Sequence, residues 1–257
     1  MPEDEEIQPK VKSLYKALKL LDYFDADHKE AGVTELAEYS GMLKSSVHNI
    51  LQTFEICGFV SQDSRTNRYM LGGAAVSLFA RYRQTRNLDY RITQYMQELR
   101  SRYDVNVYFG EKENGHAIYL CAEQSFYDRS DHLSKVGAKV PLHCTSIGKI
   151  LLGYSTVGEK EEFYRHPLTR YTEHTITDPQ KLRQEMENII YQGYAVSSCE
   201  YQEGMYCVAV PILQGDRAVE YALAVASNRE ITSYMRREYL QDLQITARKI
   251  AGILSEV

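Results

Sequence analysis

VTELAEYSGMLKSSVHNILQTFEICGFVSQDSRTNRYMLG, residues 33–72, is the stretch from which the rest of the chain is read. Thr34 stands as an N-cap, with Glu35 in the first turn, where a carboxylate suits the positive end of a helix. Leu36 and Ala37 face inward, and Ser40-Gly41 breaks the helix because glycine reaches a left-handed backbone cheaply. A second helix starts near Lys44-Ser45. Its apolar residues Val47, Ile50, Leu51 and Phe54 repeat at i, i+3, i+4 and i+7, the spacing of one buried face. Lys44, Ser45, Ser46, His48, Asn49 and Gln52 supply donors and acceptors on the polar side, with almost no acid. Gly58 closes the helix. Phe59-Val60-Ser61 and Arg68-Tyr69-Met70-Leu71 then read as strands around a turn from Asp63 to Asn67.

A short helix, a tight turn, a second helix with a polar outer face and a hairpin predict a winged helix-turn-helix. Such a second helix places its N-terminal half in the DNA major groove. There its amides, hydroxyls and lysine meet base edges and phosphates. Arg65 and Arg68 on the wing are placed to reach a phosphate or the minor groove. Between Ser40 and Arg86 the bases are Lys44, Arg65, Arg68, Arg81, Arg83 and Arg86, against Glu55 and Asp63 alone. Pattern alone leaves open two amphipathic helices of an ordinary α/β enzyme with a merely solvated polar face.

This segment resembles the DNA-binding domain of the IclR family of bacterial transcription regulators. The resemblance lies in Ser13, the Lys16-Ala17-Leu18 run, TELAEYSGMLKSSVHNIL, GFV and NRYMLG. The family usually has proline where this chain has Leu43, and commonly arginine where it has Asn49. The second departure sits on the reading face, so the target sequence does not carry over.

The chain has 257 residues, enough for two ordinary domains, with 44% hydrophobic and 25% charged residues. That composition fits a globular protein. No apolar run of 18 residues appears, so no membrane partner is expected. The polar start MPEDEEIQPK has no signal-peptide pattern, and the expected location is the cytoplasm. The net charge of −5 argues against a general nucleic-acid coat but not against a local basic surface. Five cysteines, an odd number without C-x-x-C spacing, argue against a disulfide framework and a zinc site. No cofactor, metal or catalytic residue is expected.

Residues 1–10 read as a disordered acidic tail. In 11–72, Val11, Leu14, Ala17, Leu18, Leu21 and Phe24 predict a first helix packed behind the helix-turn-helix. Gly72-Gly73 is a hinge, and 73–86 reads as a linker helix. Residues 87–257 form a second, α/β domain. Leu88, Ile92, Met96, Leu99 and Tyr103 make a helix, and Val105, Val107 and Phe109 alternate into a hairpin completed by 117–122. Residues 123–134 read as a loop, and 135–153 as an extended piece turning into a helix at Thr145 or Ser146. Asp178-Pro179 opens a further helix that ends at Gly193. Strands at 194–197, 206–213 and 219–226 follow, the last two joined at Gly215-Asp216. A long C-terminal helix carries Leu240, Leu243, Ala247, Ile250, Ala251 and Leu254. The mixture predicts an α+β protein.

The start of the 145–153 helix offers free backbone N–H groups, a ready anion site beside the Ser146 hydroxyl. A simple cap by Thr145 or Ser146 explains the same residues. VPLHCTSIGKILL and GYAVSSCEYQEGMYCVAVPI resemble two segments of the IclR ligand-sensing domain, which is related to GAF folds, so the resemblance runs from about Val11 to Ile253. It implies an effector pocket at Leu142, Ser146, Ile147, Ser197, Cys207, Ala224 and Ala226. It further implies a homodimer on operator DNA, possibly as a dimer of dimers, controlled by a small-molecule effector. Relatives that bind small keto acids tend to carry an acid at the position of Ser197 and serine on the last strand. Ala224 and Ala226 lose those hydroxyls, and Ile147 replaces a smaller residue. A less polar ligand than glyoxylate is therefore expected, a sugar-acid or aromatic-acid catabolite. Two rivals stay open: an enzyme that uses residues 104–257 with the N-terminal module for dimerisation, and a winged helix that binds protein. His143-Cys144 invites a catalytic or metal reading, but no spacing supplies a positioned base or a full ligand set.

Overall fold

The computed structural model describes residues 9–25, 27–127, 135–215 and 218–256. Residues 1–8 of the expected tail, the loop residues 128–134 and Asp216 of the expected turn lie outside these. The chain divides into two compact units, Met1–Arg86 and Asn87–Val257.

The first unit contains α1 (Lys12–Leu21), α2 (Val33–Ser40), α3 (Lys44–Ile56), the hairpin β1 (Val60–Gln62) and β2 (Tyr69–Leu71), and α4 (Ala74–Thr85). Its core gathers Leu20, Phe24, Ala31, Leu36, Ala37, Val47, Leu51, Val60 and Tyr69. Truncating a leucine as buried as Leu36 or Leu51 to alanine costs about 2–5 kcal/mol. Gly41 ends α2 at φ +64°, so the turn between the helices takes the left-handed conformation that glycine permits. Gly72 is required for a different reason: a Cβ there would lie 2.3 Å from the Gly58 carbonyl oxygen. The wing turn is built by Asp63, whose Oδ1 accepts from Arg65 N at 2.7 Å, and by Asn67 at φ +57°.

Two expectations are corrected here. Thr34 does not cap α2. Gly32 is the N-cap, and the Glu35 carboxylate reaches back to accept from its N–H at 2.6 Å, half of a capping box. Of the expected stripe, Val11, Leu14 and Leu18 are exposed, while Phe24 enters the core with Leu21 packed against it; Leu20, outside the stripe, is buried there too. A helix is present where one was expected at 73–86, as α4, and none of its residues is buried within the unit.

The second unit is built on a six-stranded antiparallel sheet of order β5-β4-β3-β8-β7-β6. The strands are β3 (Asn106–Glu113), β4 (His116–Glu123), β5 (Lys139–Pro141), β6 (Ala195–Ser198), β7 (Tyr206–Pro211) and β8 (Tyr221–Ser227). The helices are α5 (Tyr90–Tyr103), α6 (Ser146–Gly153), α7 (Val157–Arg165), α8 (Pro179–Gln192) and α9 (Ser233–Leu254). Six consecutive residues of β3 and of β8 are buried, so both sheet faces are covered. Tyr108, Ala222, Ala224 and Ala226 share a core with Ile147, Ile150 and Leu151 of α6 and Met186 and Ile189 of α8. α5 and α9 pack together and cover the alternate face.

Local rules are visible at the helix starts. Asp178 accepts from Gln180 N and Lys181 N ahead of Pro179, and Gly193 at φ +78° closes α8. Thr156 and Glu159 form a reciprocal capping box at α7, a helix the sequence reading did not anticipate.

Candidate nucleic-acid interface and effector cavity

In the first unit, α3 buries Val47 and Leu51 and leaves Lys44, Ser45, Ser46, His48, Asn49 and Gln52 exposed. Its N-cap, Leu43, makes no side-chain cap bond, so the N–H groups of the first turn face outward with no side-chain acceptor. Arg65, at the wing tip, has a side chain 89% exposed.

Arg68 is placed otherwise. Its guanidinium lies 2.8 Å from Glu30 Oε1 and 2.8 Å from Glu35 Oε2, and it donates to the Glu30 carbonyl at 3.1 Å. Ala31 and Tyr69 exchange two backbone hydrogen bonds of 2.8 Å beside it. The Gly32 N–H and then Arg68 hold the Glu35 carboxyl below its usual range. The sequence expectation of a phosphate-seeking Arg68 thus meets an arginine that clamps the wing to the start of α2.

In the second unit, the sheet register gathers the other candidates. Cys207 lies opposite Ser197 on β6 and Ala226 on β8, and Ala224 lies opposite Tyr108 on β3. Ser146, Ser197, Cys207, Ala224 and Ala226 line one cavity of about 30 Å³. Leu142 and Ile147 do not. They are 2% and 1% exposed and belong to the packed core under α6. Thr145, read from the sequence as a cap, lines it too, and sequence reasoning missed the rest of the lining: Tyr108, Tyr119, Tyr201, Gln202 and Met205. Tyr108 and Tyr119 stack at 4.7 Å with planes 23° apart.

Thr145 caps α6: its Oγ1 accepts from Gly148 N at 3.1 Å and donates to the Pro141 carbonyl at 2.8 Å. The simple cap explanation therefore holds for Thr145, while the Ser146 and Ile147 N–H groups are not used by it. A Cβ on Gly148 would meet Pro141 O at 2.4 Å, so the segment before α6 packs directly on its first turn. Ser197 Oγ donates to the Cys144 carbonyl at 2.8 Å.

Behind the cavity lies a group no pattern announced. Lys149 is 1% exposed, and its Nζ sits 2.6 Å from Glu200 Oε1, 3.2 Å from Glu185 Oε1 and 3.2 Å from the Val196 carbonyl. It ties α6 to α8 and to the end of β6. Burial raises the Glu200 carboxyl, and Lys149 opposes that rise.

The neighbouring thiols are not poised for chemistry. Burial pushes Cys144 and Cys207 up to about 12, so neither is a ready thiolate. The His143 Nε2 lies 2.9 Å from the Thr169 carbonyl, and burial lowers its pKa. Among the described residues, no group of three His, Cys, Asp or Glu side chains converges for a metal, and no helix is long and apolar enough to cross a membrane.

Comparison with known proteins agrees with both units. The IclR helix-turn-helix domain matches residues 13–64, and the C-terminal domain of bacterial IclR transcriptional regulators matches residues 80–252. The HTH-type transcriptional regulator KdgR of Escherichia coli K12 is 29% identical over 244 residues, covering 93% of this chain and 92% of its own. The Pca operon regulatory protein of Acinetobacter baylyi is 28% identical over 251 residues, covering 95% and 89%. The crystal structure of an IclR-type regulator from Silicibacter sp. TM1040 superposes with a TM-score of 0.81 at 26% identity, covering 95% of this chain and 97% of that one. With both of its units matched in the family's order, the chain belongs to the IclR family of transcriptional regulators.

Proposed function

We propose that this protein is a sequence-specific regulator whose operator binding is controlled by a small carboxylate-bearing metabolite. The observation that carries the DNA half is the face of α3, where six polar side chains are exposed while Val47 and Leu51 anchor the helix. Lys44 and Arg65 would contact phosphates, and Ser45, Ser46, His48, Asn49 and Gln52 would meet base edges or backbone. One reading helix covers one half-site, so a homodimer on a pseudo-palindrome follows, and a dimer of dimers is in keeping with the family. In this reading residues 11–72 bind DNA, 73–86 link, and 87–257 sense.

The effector half rests on the cavity at the start of α6. About 30 Å³ has room for roughly two or three waters and is far below the ~300–1,000 Å³ of small-molecule sites. Admitting a metabolite therefore requires Tyr201, Gln202 and Met205, between β6 and β7, to move outward. A ligand that favours the moved state shifts the population of the sensing domain, which is the physical requirement for control. The tyrosine pair and two alanines suit a ligand with an apolar body. The Ser146 amide, at the start of α6 on the cavity wall, suits its carboxylate.

Calorimetry on the full chain with benzoate, gluconate and glyoxylate tests the effector half. Saturable binding of a larger acid, lost in Ala224→Phe while operator binding persists, is expected. Tight binding of glyoxylate alone would refute the less polar pocket.

A further inference from the structure

Helices α5 to α9 each start on a side-chain cap, whereas α1, α2, α3 and α4 start without one. Asp89, Thr145, Thr156, Asp178 and Thr232 each begin a helix, and each accepts a hydrogen bond from a first-turn N–H. At α3 the N-cap is Leu43, which can make no such bond, and aliphatic residues are among the poorest N-caps. Leu43 is also 75% exposed, so it recovers little by packing on its own domain. Single exposed leucines are ordinary on protein surfaces. This one is informative because of where it stands.

It directly precedes Lys44, Ser45 and Ser46, at the helix end that enters the major groove in this class of fold. Met42 packs against the core and Val47 is fully buried, so among the described residues Leu43 is the large exposed apolar side chain at that end. The next on the helix is Ile56, at 87% exposure, twelve residues from Lys44 and roughly 18 Å away along the axis at 1.5 Å per residue. The major-groove edges offer one apolar group, the C5-methyl of thymine, and it is read by apolar contact. A poor cap kept at the tip of a reading helix is a local cost that a contact made only in the complex would offset.

Resting on the operator-binding reading above, we infer that Leu43 is a specificity-determining residue that packs on the C5-methyl group of a thymine in each operator half-site. The contact is uncharged, so it adds discrimination without adding salt dependence.

Deoxyuridine differs from thymidine by that methyl group alone. The full chain would first be used to select its preferred duplex from a random pool. Each thymine of the selected half-site would then be replaced singly by deoxyuridine, and affinity measured by fluorescence anisotropy. Wild type should lose about fourfold at one position, the equivalent of about 0.8 kcal/mol for one buried carbon group. Leu43→Ala should bind the thymine and deoxyuridine duplexes equally, with the salt slope of wild type. Leu43→Ser guards against misfolding: as a better cap it should raise Tm while also losing the discrimination. A wild type indifferent to every substitution, or a penalty that persists in Leu43→Ala and Leu43→Ser, overturns the inference. A pool that yields no preferred sequence overturns the operator reading itself, and this inference with it.

Discussion

Arg68 Nη2 lies 2.8 Å from Glu35 Oε2, joining the residue just before β2 of the wing to the first turn of α2 across 33 residues of sequence. Both side chains are partly exposed, 33% and 42%, so the pair itself adds little stability, roughly 0–1 kcal/mol. Its consequence is positional, since it fixes where the wing stands beside the reading helix.

Arg68 and Lys44 should therefore respond differently to substitution. Replacing Lys44 or Arg65 with alanine should reduce the slope of log affinity against log salt by about 1, the signature of one lost phosphate contact. Arg68→Ala should leave that slope near wild type while weakening binding through a displaced wing, and Glu35→Gln should copy it. Anisotropy titrations at several salt concentrations decide this. An Arg68→Ala slope that falls like that of Lys44→Ala would show a phosphate contact instead of a clamp.

The Lys149 cluster gives a stability prediction. Lys149→Met strands the buried Glu200 carboxylate, and breaking a buried pair by removing one partner costs about 3–5 kcal/mol. The loss depends on pH. Glu200 already sits above its ordinary value through burial, and removing Lys149 raises it further. A carboxyl raised in the folded state contributes stability below its unfolded value, 4.5, and loses it as pH rises through the folded value. The deficit of Lys149→Met should be largest near pH 7 and shrink toward pH 4.5. Thermal unfolding across that range checks it, and Lys149→Met/Glu200→Leu should recover much of the loss. A pH-independent deficit would mean lost packing alone.

Glu159 shifts the opposite way. Hydrogen bonds from Lys112 first, then from Thr156, hold it at about 2 against the usual 4.5. A depressed carboxyl contributes stability above its unfolded value and loses it as pH falls toward the folded value. Glu159→Gln should lower Tm at neutral pH, and the difference should close between pH 4.5 and about 2. Equal Tm values at pH 7 would show that the charge of Glu159, paired with Lys112, contributes nothing measurable.

How legible all this was depended on sequence distance. α3 was readable because its periodic residues Val47 and Leu51 and its glycine punctuation are local, and they occupy the expected places. α1 misled for the same reason. Its sequence carries overlapping apolar stripes, and periodicity cannot say which one the chain itself covers. Leu20 found the core, while Val11, Leu14 and Leu18 did not. Alternation in β3 suggested one inward face, Val105, Val107 and Phe109, yet Tyr108 is equally buried because helices cover both sides.

The cavity was legible in part. Cys207, Ser197, Ala224 and Ala226 are joined by strand register, and the resemblance already marked their segments. Tyr119, Tyr201 and Met205 reach the cavity from β4 and the β6–β7 segment, which no spacing in the sequence connects. Lys149 meets partners 36 and 51 residues away, and a lysine in an apolar run reads as an exception until those partners are seen.

The most direct test of the central claim is fluorescence anisotropy of the full chain on the DNA flanking its own gene, across a salt series, with wild type and His48→Ala/Asn49→Ala. The account predicts specific binding that weakens steeply with salt in wild type. Discrimination between operator and random duplex should be lost in the double variant, each lost base contact costing about 1–3 kcal/mol. Binding absent at low salt, or indifferent both to sequence and to the two substitutions, would contradict it.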